Sequence, residues 1–159
     1  MKTGWLEVAI FLIAGCASPV WAWQGKVTRI TDGDSLWVRP AEGGQSVKLR
    51  IDGIDAPEIC QAGGQAARKA LAARLAGRTV WVQTRRQDDY GRAIAMVTLD
   101  DEDMAAWMVS QGHAWAYRQG SGAYRTLQLQ AQSAGRGLFA DRNAIRPRIF
   151  RQQNGSCYR

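Results

Sequence analysis

The stretch Arg50-Ile51-Asp52-Gly53-Ile54-Asp55-Ala56-Pro57-Glu58 constrains this chain more than any other. Val47, Leu49 and Ile51 alternate with Lys48 and Arg50, the period-2 pattern of a half-buried strand. Pro57 has no N–H to give to a sheet and biases Ala56 toward an extended shape, so the strand ends there. One element therefore carries a guanidinium at Arg50 and, at its exit, two carboxylates three residues apart, Asp55 and Glu58. That set offers a cation, a metal-ligand candidate and a base candidate. Taken alone, it is equally a surface strand with ordinary charges and a turn, and two further stretches decide between the readings.

The first is Thr31-Asp32-Gly33-Asp34-Ser35, between strand-like runs at 26–30 and 36–38. Asp-Gly between such runs is a hairpin signal, because glycine tolerates positive φ. The hairpin does not need a second acid, yet Asp34 stands where the next strand starts. The second is Asp88-Asp89-Tyr90-Gly91-Arg92, a turn between strand-like runs at 79–84 and 93–99, with Arg92 at the mouth of the latter. Asp34, Arg50, Asp55, Glu58 and Arg92 thus all fall at strand ends beside turns.

The order D-G-D-S, R-x4-D-A-P-E and D-x-Y-G-R resembles the staphylococcal nuclease-like (thermonuclease) family, over about residues 27–139. Each motif alone is weak; the three in this order and spacing are specific. The resemblance implies a five-stranded OB-fold barrel with three helices. It also implies Ca²⁺-dependent hydrolysis of DNA and RNA at the 5′-O–P bond, leaving 3′-phosphates. Asp34, Asp55 and the backbone carbonyl of Ala56 match the family's metal ligands, an all-oxygen set suited to a hard cation. Arg50 and Arg92 match its phosphate-binding pair, whose planar forks suit phosphate oxygens. Glu58 matches its general base. Tyr90, Trp115 and Tyr117 match positions that contact the nucleotide, where aromatic faces stack on any base. The other reading of these aromatics is core burial.

The chain departs from the family pattern in four places. Ala56 replaces a threonine, which a carbonyl ligand tolerates, and Trp115 replaces the first tyrosine of a Tyr-x-Tyr pair. Asp89 replaces a lysine, removing a terminal-phosphate contact. Residues 61–64 form a short, Gly-containing segment where a longer basic loop is expected.

Composition adds context. The 159 residues, 46% hydrophobic and 22% charged, suit one globular domain. The chain reads as a signal peptide (1–22), a nuclease-like domain (23–142) and a tail (143–159). Lys2, the apolar run at 8–14 and Val20-Trp21-Ala22 make the signal, with cleavage after Ala22. Ile13-Ala14-Gly15-Cys16 offers a rival, lipidation at Cys16, but the domain begins so soon after it that little tether remains. Export to the periplasm or medium is the expectation. Removing Lys2 and Glu7 leaves 20 − 13 = +7, the same net charge as the whole chain, a basic balance that attracts polyanions. Cys60 and Cys157 would be the two cysteines left and are expected to pair in an oxidising compartment. His113 is the single histidine, and no Cys/His cluster suggests zinc.

After the key stretch, periodicity predicts a helix over 63–76, strands over 78–86 and 92–99, and a helix over 103–111 capped by Asp100 or Asp101. A third helix follows over 123–135, with Tyr124, Leu127, Ala131 and Ala134 on its buried face, and then an irregular tail. Five strands with a helix between the third and fourth is an OB-fold order, a barrel that binds oligonucleotides on one face. The competing function is a non-catalytic OB module that binds nucleic acid or peptide. All five charged residues of the motif are present, which favours the enzyme. DNA and RNA are the expected partners, single strands favoured because their bases are free to stack, and a monomer is expected.

Overall fold

The computed structural model describes residues 22–117 and 122–157. The export signal expected over residues 1–22, and the alternative of lipidation at Cys16, lie outside the described residues except for Ala22.

In chain order the elements are β1 (Ala22–Ile30), β2 (Ser35–Pro40), β3 (Val47–Ile51), β4 (Ile54–Asp55), α1 (Gly64–Leu75), β5 (Thr79–Gln87), β6 (Ala93–Leu99), β7 (Glu102–Asp103), α2 (Met104–Ser110), β8 (Trp115–Ala116), α3 (Gly122–Ser133), a 3₁₀ turn (Gly137–Ala140) and α4 (Pro147–Asn154). Five of the strands run antiparallel in the order β3-β2-β1-β5-β6, and a parallel pairing of β3 with β6 closes them into a barrel. β7 extends β6 at one edge, and β4 pairs with β8 in a separate two-stranded ribbon. This is the expected OB-fold α+β architecture. Register shifts between Val27 and Arg29 and between Thr84 and Arg86 let the long strands bend round the barrel.

Alternation decides which side chains fill the barrel. Leu49 and Ile51 of β3, Val80 and Val82 of β5, and Ala93, Ala95, Val97 and Leu99 of β6 point inward and are buried. α1 adds Ala67, Leu71 and Leu75 to this core, and α2 adds Met104 and Met108, so the apolar faces read from spacing are core faces. A smaller cluster, Trp115, Ala131 and Phe139, lies between β8, α3 and the 3₁₀ turn.

Four details differ from expectation. The described residues hold four α-helices instead of three, because the tail forms α4 with Pro147 at its first turn, where a missing N–H costs nothing. α2 is capped by Asp103, whose Oδ1 accepts from the Ala105 N–H at 2.8 Å. Asp100 and Asp101 instead make the tight β6–β7 turn at φ 50° and 64°. On α3, Ala134 is exposed and Gln128 is buried, its Oε1 accepting from the Ala116 N–H at 2.8 Å. Sequence periodicity counts apolar residues and passes over a glutamine that serves a backbone donor.

Candidate active site

The hairpin register places Ser35 opposite Arg50, so Asp34 at the mouth of β2 meets the end of β3. Asp34 Oδ2 accepts from Arg50 Nη1 at 2.6 Å and from the Ala56 N–H at 3.0 Å, while Oδ1 accepts from Ser35 Oγ at 3.0 Å. Arg50 Nη2 donates to Asp55 Oδ1 at 3.1 Å and to the Ile54 carbonyl at 3.2 Å. One guanidinium thus sits between the two buried aspartates and fixes their separation. These contacts use three of its five N–H groups. Gly33 does not take a positive φ here; it is required because a Cβ would lie 2.7 Å from the Cβ atoms of both Ala56 and Ala67. The Asp-Gly signal therefore marks close packing of the turn on α1, which presses Asp34 toward Ala56.

Charge in this cluster is strongly coupled. Burial pushes the Asp34 carboxyl up, but Arg50, the Ala56 N–H, Asp32 and Ser35 together outweigh it and hold it below the usual range. Burial, and then the Asp34 charge, push Asp32 up to about 7. Asp34 and Asp55 raise the Arg50 guanidinium against its burial, Asp34 the more strongly, so it stays charged at all working pH.

Glu58 comes from the turn after β4, where the Glu58 N–H donates to Gln61 Oε1 at 3.2 Å. Gln61, itself buried, ties this turn to the tail by donating from Nε2 to the Ile145 carbonyl at 2.6 Å. Cys60 and Cys157 are joined, Cα–Cα 5.9 Å, as expected from their count. The tail returns a third arginine. Arg151 of α4 donates from Nη1 to Asp55 Oδ1 at 3.1 Å and to Glu58 Oε1 at 2.9 Å, and from Nη2 to Asp55 Oδ2 at 3.1 Å.

Arg92 arrives from the other side. The parallel register pairs Leu49 with Ala93 and Arg50 with Ile94, so alternation puts Arg92 and Arg50 on the same outer face of adjacent strands. Asp88 organises the turn before it. Its Oδ1 accepts from the Tyr90 and Arg92 N–H groups at 3.0 and 2.9 Å, and its Oδ2 from Arg92 Nε at 2.8 Å. Gly91, at φ 71°, lets the chain double back. The Nη groups of Arg92 have no acceptor among the described residues.

The three aromatics differ. Tyr90 is 84% exposed with the Arg92 guanidinium 5.6 Å from its ring centroid, and Tyr117 is 42% exposed. Trp115, expected at a nucleotide-contacting position, is only 7% exposed. Phe139 packs edge-on against its ring at 4.7 Å and the Arg146 guanidinium lies 4.7 Å from the ring centroid, so core burial is the reading that fits Trp115. From Asp55 a groove of about 1110 Å³ runs between α3 and α4, with Tyr117, Arg125, Arg146 and Arg148 among its walls. Among the described residues Asp55 is the one acid lining it.

A family profile described as staphylococcal nuclease homologue matches residues 48–141, more than half the chain. The chain belongs to the staphylococcal nuclease family. Among curated relatives, an uncharacterised endonuclease of Haemophilus influenzae is 39% identical over 130 residues, covering 80% of this chain and 72% of that protein. Protein ParB of Escherichia coli is 38% identical over 154 residues, covering 88% and 86%. A micrococcal nuclease of Shigella flexneri is 32% identical over 159 residues, covering 91% and 90%.

Within this family frame, the structure brings Asp34, Arg50, Asp55, Ala56 and Glu58 together at one end of the barrel, with Arg92 on the adjoining strand. Four further residues act on the site that sequence reading did not single out. Asp32 was visible as the first acid of Asp-Gly-Asp, and Asp88 as the Asx-type opening of its turn. Gln61 and Arg151 left no local signal, because their partners lie 84 and 93–96 residues away in the chain.

Proposed function

We propose that this protein is a Ca²⁺-dependent phosphodiesterase that hydrolyses DNA and RNA with little sequence specificity, cutting the 5′-O–P bond to leave 3′-phosphates. The observation that carries the reading is the convergence of two buried aspartates, a guanidinium and a glutamate at one barrel end, with the free Nη groups of Arg92 on the same face. The nuclease names of the relatives support the reaction class.

The donors fit a hard divalent cation. Asp34 and Asp55 offer carboxylate oxygens, and the Ala56 peptide is drawn to Asp34 through its own N–H. Among the described residues no group of three or more His, Cys, Asp or Glu side chains forms a metal cluster, so the protein would supply few ligands and water the rest. Ca²⁺ held there would offset the charge of the phosphate and polarise its oxygens.

The chain's own residues do the remaining work. Glu58, on a turn tied down by Gln61 and the disulfide, takes a proton from the attacking water. Arg92 forks the phosphoryl oxygens with its Nη groups, and Arg50 contributes its remaining N–H groups while holding the aspartates apart. Both act most strongly at the transition state, where those oxygens carry most charge. Tyr90 and Tyr117 stack on bases of any identity. A basic groove lets a single strand run on past Asp55. Export to an oxidising compartment agrees with the disulfide, and among the described residues no helix is long and apolar enough to cross a membrane.

Degradation of single-stranded DNA and RNA is the test. Both should be cleaved with Ca²⁺ and neither with a chelator. Binding without cleavage would favour the non-catalytic OB module.

A further inference from the structure

Arg151 stands outside every motif that defines the site, yet it holds the carboxylates on which the proposed chemistry depends. Its Nη2 takes Asp55 Oδ2 at 3.1 Å, and its Nη1 is shared between Asp55 Oδ1 and Glu58 Oε1 at 3.1 and 2.9 Å. Asp55 Oδ1 already serves Arg50 at 3.1 Å. Both oxygens of Asp55 are therefore committed to guanidinium groups, and Oδ2 is committed to Arg151 alone. A divalent cation bound through Asp55 would share an oxygen with a fixed positive charge. The two cations cannot both have the full attraction of that carboxylate.

The position of Arg151 is built, not incidental. α4 is held at both ends against the turn that carries Glu58. Before its start, the Ile145 carbonyl accepts from Gln61 at 2.6 Å, and beyond its end Cys157 is bonded to Cys60. The guanidinium is thereby kept at a high local concentration beside Asp55, as a short tether keeps any linked ligand near its site.

We propose that Arg151 is the resident counter-ion of the metal site: it neutralises Asp55 and Glu58 in the metal-free protein, yields Asp55 to the incoming divalent cation, and is kept in competition by the Cys60–Cys157 bond. The inference rests on the reading of Asp34 and Asp55 as metal ligands. It makes metal affinity depend on a residue 96 positions from Asp55 and on the redox state of a disulfide. An oxidised protein would demand more metal than a reduced one.

The test is calorimetric titration of the full chain with Ca²⁺ alone, without nucleic acid, beside a thermal melt of each variant. Arg151→Gln removes the charge and should tighten the Ca²⁺ dissociation constant at least tenfold. Arg151→Lys keeps a charge but loses the fork, and should tighten it by a smaller factor. Cys60→Ser/Cys157→Ser should tighten it in the same direction, by less than Arg151→Gln. If Arg151→Gln does not fold, the Lys variant and the double Ser variant decide by the same criterion. Ca²⁺ binding to wild type with equal or weaker binding to the variants overturns this inference and leaves the metal reading intact. Failure of wild type and all variants to bind at millimolar Ca²⁺ overturns the metal reading and this inference with it.

Discussion

Two arginines that sequence places in the same role are about equally covered but differently partnered. Arg50 is enclosed: Asp34, Asp55 and the Ile54 carbonyl take three of its N–H groups, and Asp34 is almost wholly buried. Arg92 stands at the end of its turn, beside the start of β6 and about as covered as Arg50, but is held only through Nε by Asp88, with both Nη groups free of protein acceptors among the described residues. The same side chain serves as a brace in one region and as an arm in the other. What separates them is how many donors the fold has already used. A brace must be charged and fixed before substrate arrives; an arm must keep its fork open.

The largest effect expected is at the brace. Arg50→Ala leaves the buried Asp34 without its counter-ion, while Asp55 keeps Arg151, and removing one partner of a buried pair typically costs about 3–5 kcal/mol. The melting midpoint should fall by roughly 10 °C or more for a domain of this size, and activity should vanish with it. Scanning calorimetry checks the first part. A melt within a few degrees of wild type would show that Arg50 is an arm after all.

Next is the arm. Arg92→Lys should melt almost as wild type but lose about 10²–10³ in kcat, because a point charge does not reproduce a planar fork at developing oxyanions. The comparison breaks if the variant melts early and keeps its specific activity while folded. In that case Arg92 would be bracing its turn as Arg50 braces the barrel end.

The contrast also explains what the sequence made legible. Barrel order and the buried faces of α1 and α2 follow from alternation, spacing and turns, all local signals; these also put Asp34, Arg50, Asp55 and Glu58 at strand ends, and their convergence on one site is what the family resemblance implies. Trp115 stays ambiguous in sequence because an aromatic in an extended segment looks the same whether it faces solvent or packs on Phe139. α4 was not seen as a helix because its eight residues carry few apolar side chains, and what holds it is a disulfide and the Gln61 and Arg151 contacts across more than 80 residues. At Gly33 the turn signal holds but its physical reason differs, since its neighbours, not its φ, exclude a side chain.

A smaller effect should come from the residue that aims the arm. Asp88→Asn keeps an oxygen to accept from the Tyr90 and Arg92 N–H groups but loses the carboxylate on Arg92 Nε. We expect kcat to fall about tenfold, equivalent to about 1.4 kcal/mol, near the low end for a charge-assisted hydrogen bond. The carboxyl of Asp88 is held below its ordinary value: burial opposes this, but the Arg92 backbone N–H, the Arg92 side chain and the Tyr90 N–H outweigh it. A depressed folded pKa means that its stabilising contribution is present above the unfolded value near 4 and is lost only as pH falls through the lower folded value. The wild-type rate should therefore show no step from Asp88 between pH 5 and 9, to be read from kcat against pH. A tenfold step in that range that disappears in Asp88→Asn would contradict the assignment.

The smallest effect separates arms that touch the scissile phosphate from arms that only guide the strand. Arg125 on α3 and Arg148 on α4 face the groove beyond Asp55, and no ion pair among the described residues joins either of them. If a single strand lies there, each contributes one phosphate contact and no base readout. Neutralising a contact to single-stranded nucleic acid lowers the slope of log K against log salt by about 0.7. Arg125→Gln/Arg148→Gln should therefore flatten that slope by about 1.4 for an oligonucleotide long enough to fill the groove. Cleavage of a dinucleotide should be unchanged if a strand must run on along the groove from Asp55 to reach these two arginines. Fluorescence anisotropy over a salt series gives the slope, and a dinucleotide assay gives the control. An unchanged slope would mean that the strand leaves the site by another face. A loss on the dinucleotide as large as on the oligonucleotide would place these arginines with Arg92, as part of the catalytic clamp.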